Sequence, residues 1–288
     1  MKKSICIWIL LICNIAWVEA QLVSVVQRVM VEKKISAFYP VFNSDGSELL
    51  YTSENYKGLY LYDLNRKTSL KITDAEGAGY SPDFSQSNEK IYYKSVERKN
   101  MRQQNTLMCY GRQSFQSKSC MDSPVRLQSD LNKTRMRMEA SGRTNINVYT
   151  EKLQLIIENN GVRKVLEPLV KGSRYLWGSL SPDKTKILFT ATGKGTYVCD
   201  LNGQIISEIG YLNAPVWYGD SKIVGMVDKD NGECITESAV VMVSVDGKQR
   251  QILTPFTEIA MYPATNWASG KIAYNTLDGE IIVLELKK

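Results

Sequence analysis

The chain of 288 residues contains no histidine, so its chemistry must come from carboxylates, tyrosines, lysines or thiols. Ser-His-Asp and Cys-His catalysis need an imidazole as general base. Most catalytic zinc, copper and non-haem iron sites also use imidazole ligands. Those classes are excluded, and what remains is a carboxylate pair, tyrosine or lysine chemistry, or recognition without chemistry. Glu76, Glu139 and Glu258 are the acids whose convergence would make a glycosidase-like pair. Asp45-Gly46, Pro82-Asp83 and Pro182-Asp183 look like carboxylates repeated around a ring, but they read first as turns, since Asp-Gly favours tight hairpins. DKDNGE (228–233) gathers acids in one loop, yet Gly232 stands fifth, where a calcium loop needs its glycine sixth. No metal and no cofactor is expected.

A second constellation suits binding. Tyr39, Tyr80, Trp177 and Tyr262 each stand three or four residues before a recurring phrase, and Arg135 or Arg174 are placed to join them. Aromatic and arginine side chains dominate binding hot spots; the alternative is that these rings are wedges packed between structural units. Cys109 and Cys120 flank GRQSFQSK as hairpin neighbours and are the candidate disulfide. Cys199 and Cys234 are expected as free or buried thiols.

The elements that must position these residues are short and β-rich. Runs of Val, Ile, Leu, Tyr and Phe are divided by Asp-Gly, Asn-Gly and Gly-Lys turn signals, with almost no helical periodicity. The runs repeat. Phe42, Phe84, Leu180, Trp217 and Thr265 anchor the copies; Pro stands two before all but Leu180, and the next strand starts six or seven after. Each anchor opens four strands: YPVFN, ELLYTS, LYLYDLN and SLKITD in the first copy; YSPDFS, KIYYKS, TLMCYG and PVRLQS in the second. The third reads RMRMEAS, NINVYTE, LQLIIENNG and VRKVLEPL, and the fourth and fifth follow the same plan. The last copy has only three strands, and LVSVVQRVMVE (22–32) is the candidate fourth. Copies of about 45 residues that cannot bury their faces alone must stack. The expectation is an all-β, six-bladed β-propeller of four-stranded blades, closed by the N-terminal strand completing the last blade.

Residues 1–20 read as a signal peptide: Lys2 and Lys3, an apolar run, then Val-Glu-Ala before Gln21. Cleavage is predicted after Ala20, leaving one domain over 21–288 in the periplasm or outside the cell. No second apolar stretch approaches a bilayer span, so the mature chain is not expected to span a membrane. The formal charge is +6. Lys94 to Arg143 carries more than this excess, and it reads as a solvated insertion or a patch for an acidic partner. Nucleic acid is not an expected partner of an exported chain.

The phrase PVFNSDGSELLYTSENYKGLYLYDLNRKTSLKIT, with weaker copies in SLSPDKTKILFTATGKGTYVCDLNG and VWYGDSKIVGMV, resembles the TolB-like propeller repeat of Gram-negative bacteria. The resemblance covers 22–288 as architecture, without the N-terminal domain found beside the TolB propeller. It implies a WD40-like ring that supplies a protein-binding surface, although some propellers of this type are parts of peptidases or lyases. A peptidase needs a hydrolase domain with its histidine, and a metal-dependent lyase needs histidine ligands. The sequence therefore points to a non-catalytic binding or scaffold module, with another envelope protein as partner. The alternative is a propeller that binds or cleaves a glycan.

Overall fold

The computed structural model describes residues 21–31, 35–121 and 146–287. They form six antiparallel sheets arranged as a six-bladed β-propeller, with two single-turn 3-10 segments as the helical content among the described residues. Blade 1 comprises β2 (Phe38–Phe42), β3 (Glu48–Thr52), β4 (Leu59–Asp63) and β5 (Thr68–Thr73). Blades 4 and 5 run from Tyr175 to Gly210 and from Asn213 to Ile252, each with four strands in chain order. Blade 6 takes Met261–Asn266, Lys271–Asn275 and Ile281–Lys287, and its outer strand is β1 (Ser24–Met30), antiparallel to the last strand of the chain. The expected N-terminal closure is therefore observed.

The second strand of each blade explains the unbroken apolar runs in the sequence. Leu49, Leu50 and Tyr51, and likewise Ile187, Leu188 and Phe189, are buried on both faces because neighbouring blades cover both sides. Outer strands such as Thr68–Thr73 are mostly exposed. The apolar clusters accordingly lie between blades. Tyr51 and Tyr62 pack with Ile281 and Val283 across the join of blades 1 and 6, and Leu188 and Val198 pack with Trp217 and Ile223 across that of blades 4 and 5. Truncating one such side chain to Ala costs about 2–5 kcal/mol.

In blades 1, 2 and 4 the residue after the anchor shows why Asn or Ser recurs there. Asn43 Oδ1 accepts the Glu48 N–H at 3.1 Å, Ser85 Oγ the Lys90 N–H at 3.0 Å, and Ser181 Oγ the Lys186 N–H at 2.9 Å. Each closes the turn from first to second strand and supplies a partner for a half-buried amide. In blade 1 Gly46 completes that turn with φ +70°, which glycine adopts freely.

Four strand assignments change. The second blade's fourth strand is Gln116–Ser119, and PVRLQS lies outside the described residues. Of the stretch from Lys94 to Arg143 read as an insertion, residues 94–119 are instead the upper part of a long hairpin, Lys90–Lys99 with Arg102–Gly111, followed by that fourth strand. The hairpin's tip, residues 97–103, is exposed throughout and accordingly almost wholly polar. Asp83 lies in a first strand rather than a turn. In blade 3, RMRMEAS lies outside the described residues, and Ile146–Glu151 stands at the edge of a three-stranded sheet, beside the first strand of blade 4. No helix among the described residues is long and apolar enough to cross a membrane.

Candidate functional site

The first strand of each blade begins at one mouth of the central channel, and the chain there breaks its ladder at a fixed place. Register shifts fall between Phe38 and Val41, Leu176 and Ser179, Asn213 and Val216, and Met261 and Ala264. The residue three before the anchor has positive φ in five blades: Tyr39 (53°), Ser81 (54°), Trp177 (51°), Ala214 (44°) and Tyr262 (50°). Bulky residues rarely occupy this region, which costs of order 1–3 kcal/mol per residue. A bulge re-aims the side chain that carries it. Pro40, Pro82, Pro215 and Pro263 follow directly, and a residue with no N–H to donate suits a gap in the ladder. Blade 4 has Gly178 at this step, where a Cβ would stand 2.6 Å from Leu155 Cδ1 of blade 3.

The re-aimed residues meet in one cavity of about 660 Å³, lined from all six blades. Tyr39, Tyr80, Trp177 and Tyr262, all anticipated from their spacing, line it together. Tyr39 stacks on Tyr56 with centroids 4.6 Å apart and meets Tyr262 at the same distance; Tyr56 meets Tyr80 edge-on at 5.4 Å. Such pairs contribute about 0.5–1.5 kcal/mol each beyond area burial. Lys94 Nζ lies 4.1 Å above the Tyr80 ring. The half-buried Lys94 ammonium is held below its ordinary pKa by desolvation. Trp177 forms the sill between this cavity and a neighbouring cleft of about 420 Å³ reaching Tyr211 and Asn213.

Two lining residues were not anticipated. Tyr56 sits on the 3-10 turn Glu54–Tyr56 between second and third strands, outside the spacing that located the others. Tyr149 enters from Ile146–Glu151, with its hydroxyl donated to Glu158 at 3.2 Å; blade 3 lacks the anchor from which the others were counted. Arg174 does not join the ring. Arg174 is exposed and lines a separate cleft with Lys152 and Glu167, because its position lies before the bulge; Arg135 lies outside the described residues.

Among the described residues the lining carries hydroxyls and rings but no charged side chain. Glu258 instead accepts from Tyr274 Oη at 2.7 Å and pairs with Arg28, while Glu76 pairs with Arg98 at 3.4 Å; Glu139 lies outside the described residues. Burial, and then the hydroxyls of Tyr56 and Tyr262, push the Tyr39 phenol well above the ordinary tyrosine range. A phenol in that state is a poor general base at neutral pH. Among the described residues there is no cluster of three or more His, Cys, Asp or Glu able to hold a metal.

No family model and no curated protein matches the chain. Solved structures do. TolB from Acinetobacter baumannii superposes with a TM-score of 0.50 at 18% identity, over 79% of this chain and 56% of that one. The fold is shared, and the chain spans little more than half of that relative. An oligogalacturonate lyase from Vibrio parahaemolyticus gives 0.54 at 11% identity, covering 90% of this chain and 91% of the other. The Cps50 propeller domain of Myceliophteria thermophila gives 0.53 at 11%, covering 92% and 100%. Likeness at such identities establishes the architecture, which hosts enzymes and binders alike.

Cys109 and Cys120 are both thiols in the structure. They share one apolar cluster, Leu107 pairing with Cys120 across the ladder two residues from Cys109. Burial, with Cys109 beside it, pushes the Cys120 thiol up to about 12.

Proposed function

We propose that the protein is a non-catalytic recognition module of the bacterial envelope, exported by the signal sequence at 1–20, that binds another envelope protein at its aromatic mouth. The observation that carries this reading is the repeated bulge. Tyr39, Trp177 and Tyr262 are held at positive φ by the bulges, and they converge with Tyr56, itself at positive φ on its turn, Tyr80 and Tyr149 on one cavity. Backbone strain retained at corresponding positions is a mark of a functional surface. A rigid ring presenting pre-oriented rings also loses little entropy on association.

The alternative, cleavage of a glycan, needs two carboxylates across the substrate or a competent base. Among the described residues the cavity lining offers neither, and the lack of cations among them ill suits a polyanionic chain such as oligogalacturonate. Recognition of a neutral glycan by ring stacking is the second reading, favoured by the hydroxyl-only polar lining.

The test is a pull-down from envelope extract, alongside a neutral-glycan panel, with the mature protein and its Tyr39→Ala/Trp177→Ala/Tyr262→Ala variant. Capture of one partner protein that disappears in the folded triple variant is the expected result. Unchanged capture would make the rings inter-blade wedges, and binding confined to the glycan panel would move the assignment to saccharides.

A further inference from the structure

Two hairpins rise beside the mouth far beyond the others. Strands Lys90–Lys99 and Arg102–Gly111 of blade 2 have ten residues each, and Lys222–Asp230 and Ile235–Ser244 of blade 5 have nine and ten; the corresponding strands of blade 1 have five. Four or five extra residues lift a hairpin by roughly 15 Å at about 3.3 Å per residue. Both hairpins join second to third strands, as does the turn bearing Tyr56, so both stand on the aromatic face. In a six-membered ring, blades 2 and 5 are diametrically opposed.

Their charges are opposite. Residues 94–104 hold Lys94, Arg98, Lys99 and Arg102 against Glu97, a net +3; residues 228–237 hold Asp228, Asp230, Glu233 and Glu237 against Lys229, a net −3. The ion pairs within each arm, Lys99–Glu97 and Lys229–Glu237, are exposed and weak and leave these sums unchanged, while Glu76, which pairs with Arg98 from the base of the cationic arm, brings that side to +2. Both arms are tied to the mouth at their bases. Val96 N–H donates to Glu76 O at 2.9 Å, with Lys94 over Tyr80 just below; Asn213 Nδ2 donates to Asp228 Oδ1 at 2.8 Å. An uncharged aromatic floor therefore lies between a fixed cationic post and a fixed anionic one.

We propose that the two arms orient a polypeptide segment laid across the mouth, its acidic end against blade 2, its basic end against blade 5, and its middle apolar and uncharged. This rests on the mouth being the binding face and names the chemistry of its partner. Opposed charges fix register and speed encounter more than they deepen affinity. Met101, fully exposed at the tip of the cationic arm, supplies an adaptable apolar contact to the same segment.

The test uses fluorescein-labelled peptides of roughly fourteen residues, long enough when extended to cross a domain of this size. All share a Trp-Pro-Tyr-Pro centre; one has three Glu at one end and three Lys at the other, one Glu at both ends, one Lys at both ends. Fluorescence anisotropy at low salt should rank the dipolar peptide about tenfold tighter than either control. Reversing one arm (Arg98→Glu, Lys99→Glu, Arg102→Glu) makes both arms acidic, so the all-Lys peptide should lead. Reversing the other as well (Asp230→Lys, Glu233→Lys, Glu237→Lys) should restore the dipolar peptide, docked the other way round.

The protein's net charge of +6 alone would favour the all-Glu peptide. That ranking, a ranking indifferent to arm reversal, or no binding by any probe would overturn the proposal. The envelope pull-down separates the two readings. Capture lost in the aromatic triple variant but kept in both arm reversals leaves the mouth standing and removes the arms. Capture kept in the triple variant removes the mouth.

Discussion

Tyr39 and Tyr262 occupy the same place in adjacent blades, both at φ near +50°, and their rings meet with centroids 4.6 Å apart. The N–H of Tyr39 is satisfied by the side chain of Asn275, on the second strand of blade 6, at 3.1 Å. One blade thus holds the strained residue of the next, so the aromatic mouth is a property of the ring and not of any blade alone.

Trp177 separates display from packing. It has the same positive φ but is 39% exposed, so its ring has less burial to lose. Trp177→Gly removes the strain and is expected to change stability by no more than about 1 kcal/mol, in either direction. Tyr39→Gly is expected to destabilise by about 1–3 kcal/mol, because contacts with Tyr56 and Tyr262 are lost as well. Urea denaturation measures both. A loss above about 3 kcal/mol for Trp177→Gly would identify the ring as an inter-blade wedge.

Turn carboxylates set the acid limit. Hydrogen bonds from turn residues hold Asp45, Asp183, Asp200 and Asp246 below the usual carboxylate range, led by Ser47, Ser181, Gln204 and Ser244 in turn. A folded-state value below the unfolded one means stability present above about pH 4 and lost as pH falls through the folded values. Melting temperature should therefore be flat near neutrality and drop below pH 4. Asp183→Asn should lower it at pH 7 and flatten the acid slope. An unchanged slope would mean that another group governs acid unfolding.

The ring is fastened by its ends. Glu258 takes a hydrogen bond from Arg28 of the N-terminal strand at 2.9 Å and from Tyr274 of blade 6 at 2.7 Å, and Gln251 exchanges two hydrogen bonds with Val23. The Glu258 side chain is 10% exposed and that of Arg28 47%. Glu258→Ala, which strands Tyr274 Oη, is expected to cost about 2–4 kcal/mol, and Arg28→Ala about 1 kcal/mol or less. Deleting residues 21–31 exposes the edge of Ile281–Lys287, and concentration-dependent aggregation should follow, readable by light scattering. Equal losses for the two point variants would show that the Tyr274 contact contributes nothing.

What was legible in the sequence depended on which residues repeat. Blade number and ring closure followed from apolar second strands and anchor spacing, since burial on both faces leaves an unbroken apolar run. Tyr39, Trp177 and Tyr262 followed because they share an offset from their anchors. Tyr56 was hidden in a connecting turn, and Tyr149 in a blade without a clear anchor. The long hairpin of blade 2 looked like an insertion because an arm standing clear of the core has no apolar face to advertise. Arg174 was expected at the mouth, but it stands before the first strand of blade 4, three residues ahead of Trp177, and lines a separate cleft.

Thiol chemistry supplies the last prediction. Burial pushes the Cys199 thiol, and burial with Cys109 beside it the Cys120 thiol, up to about 12, while Cys234 is exposed. The thiolate is the reactive form, so the folded, reduced protein at pH 8 should yield one fast-reacting thiol toward DTNB, and Cys234→Ser should abolish it. Unfolding in guanidinium should release Cys109, Cys120 and Cys199 as well. For protein recovered from the envelope, release of Cys199 alone on unfolding, with a mass lower by two hydrogens, would mean that Cys109 and Cys120 are joined. Where the thiols stay reduced, their raised folded-state values favour the protonated form. Stability is then full below about pH 9 and is lost as pH rises toward the folded values. Cys199→Ala should weaken that alkaline loss, and an identical profile would show that thiol ionisation does not drive it.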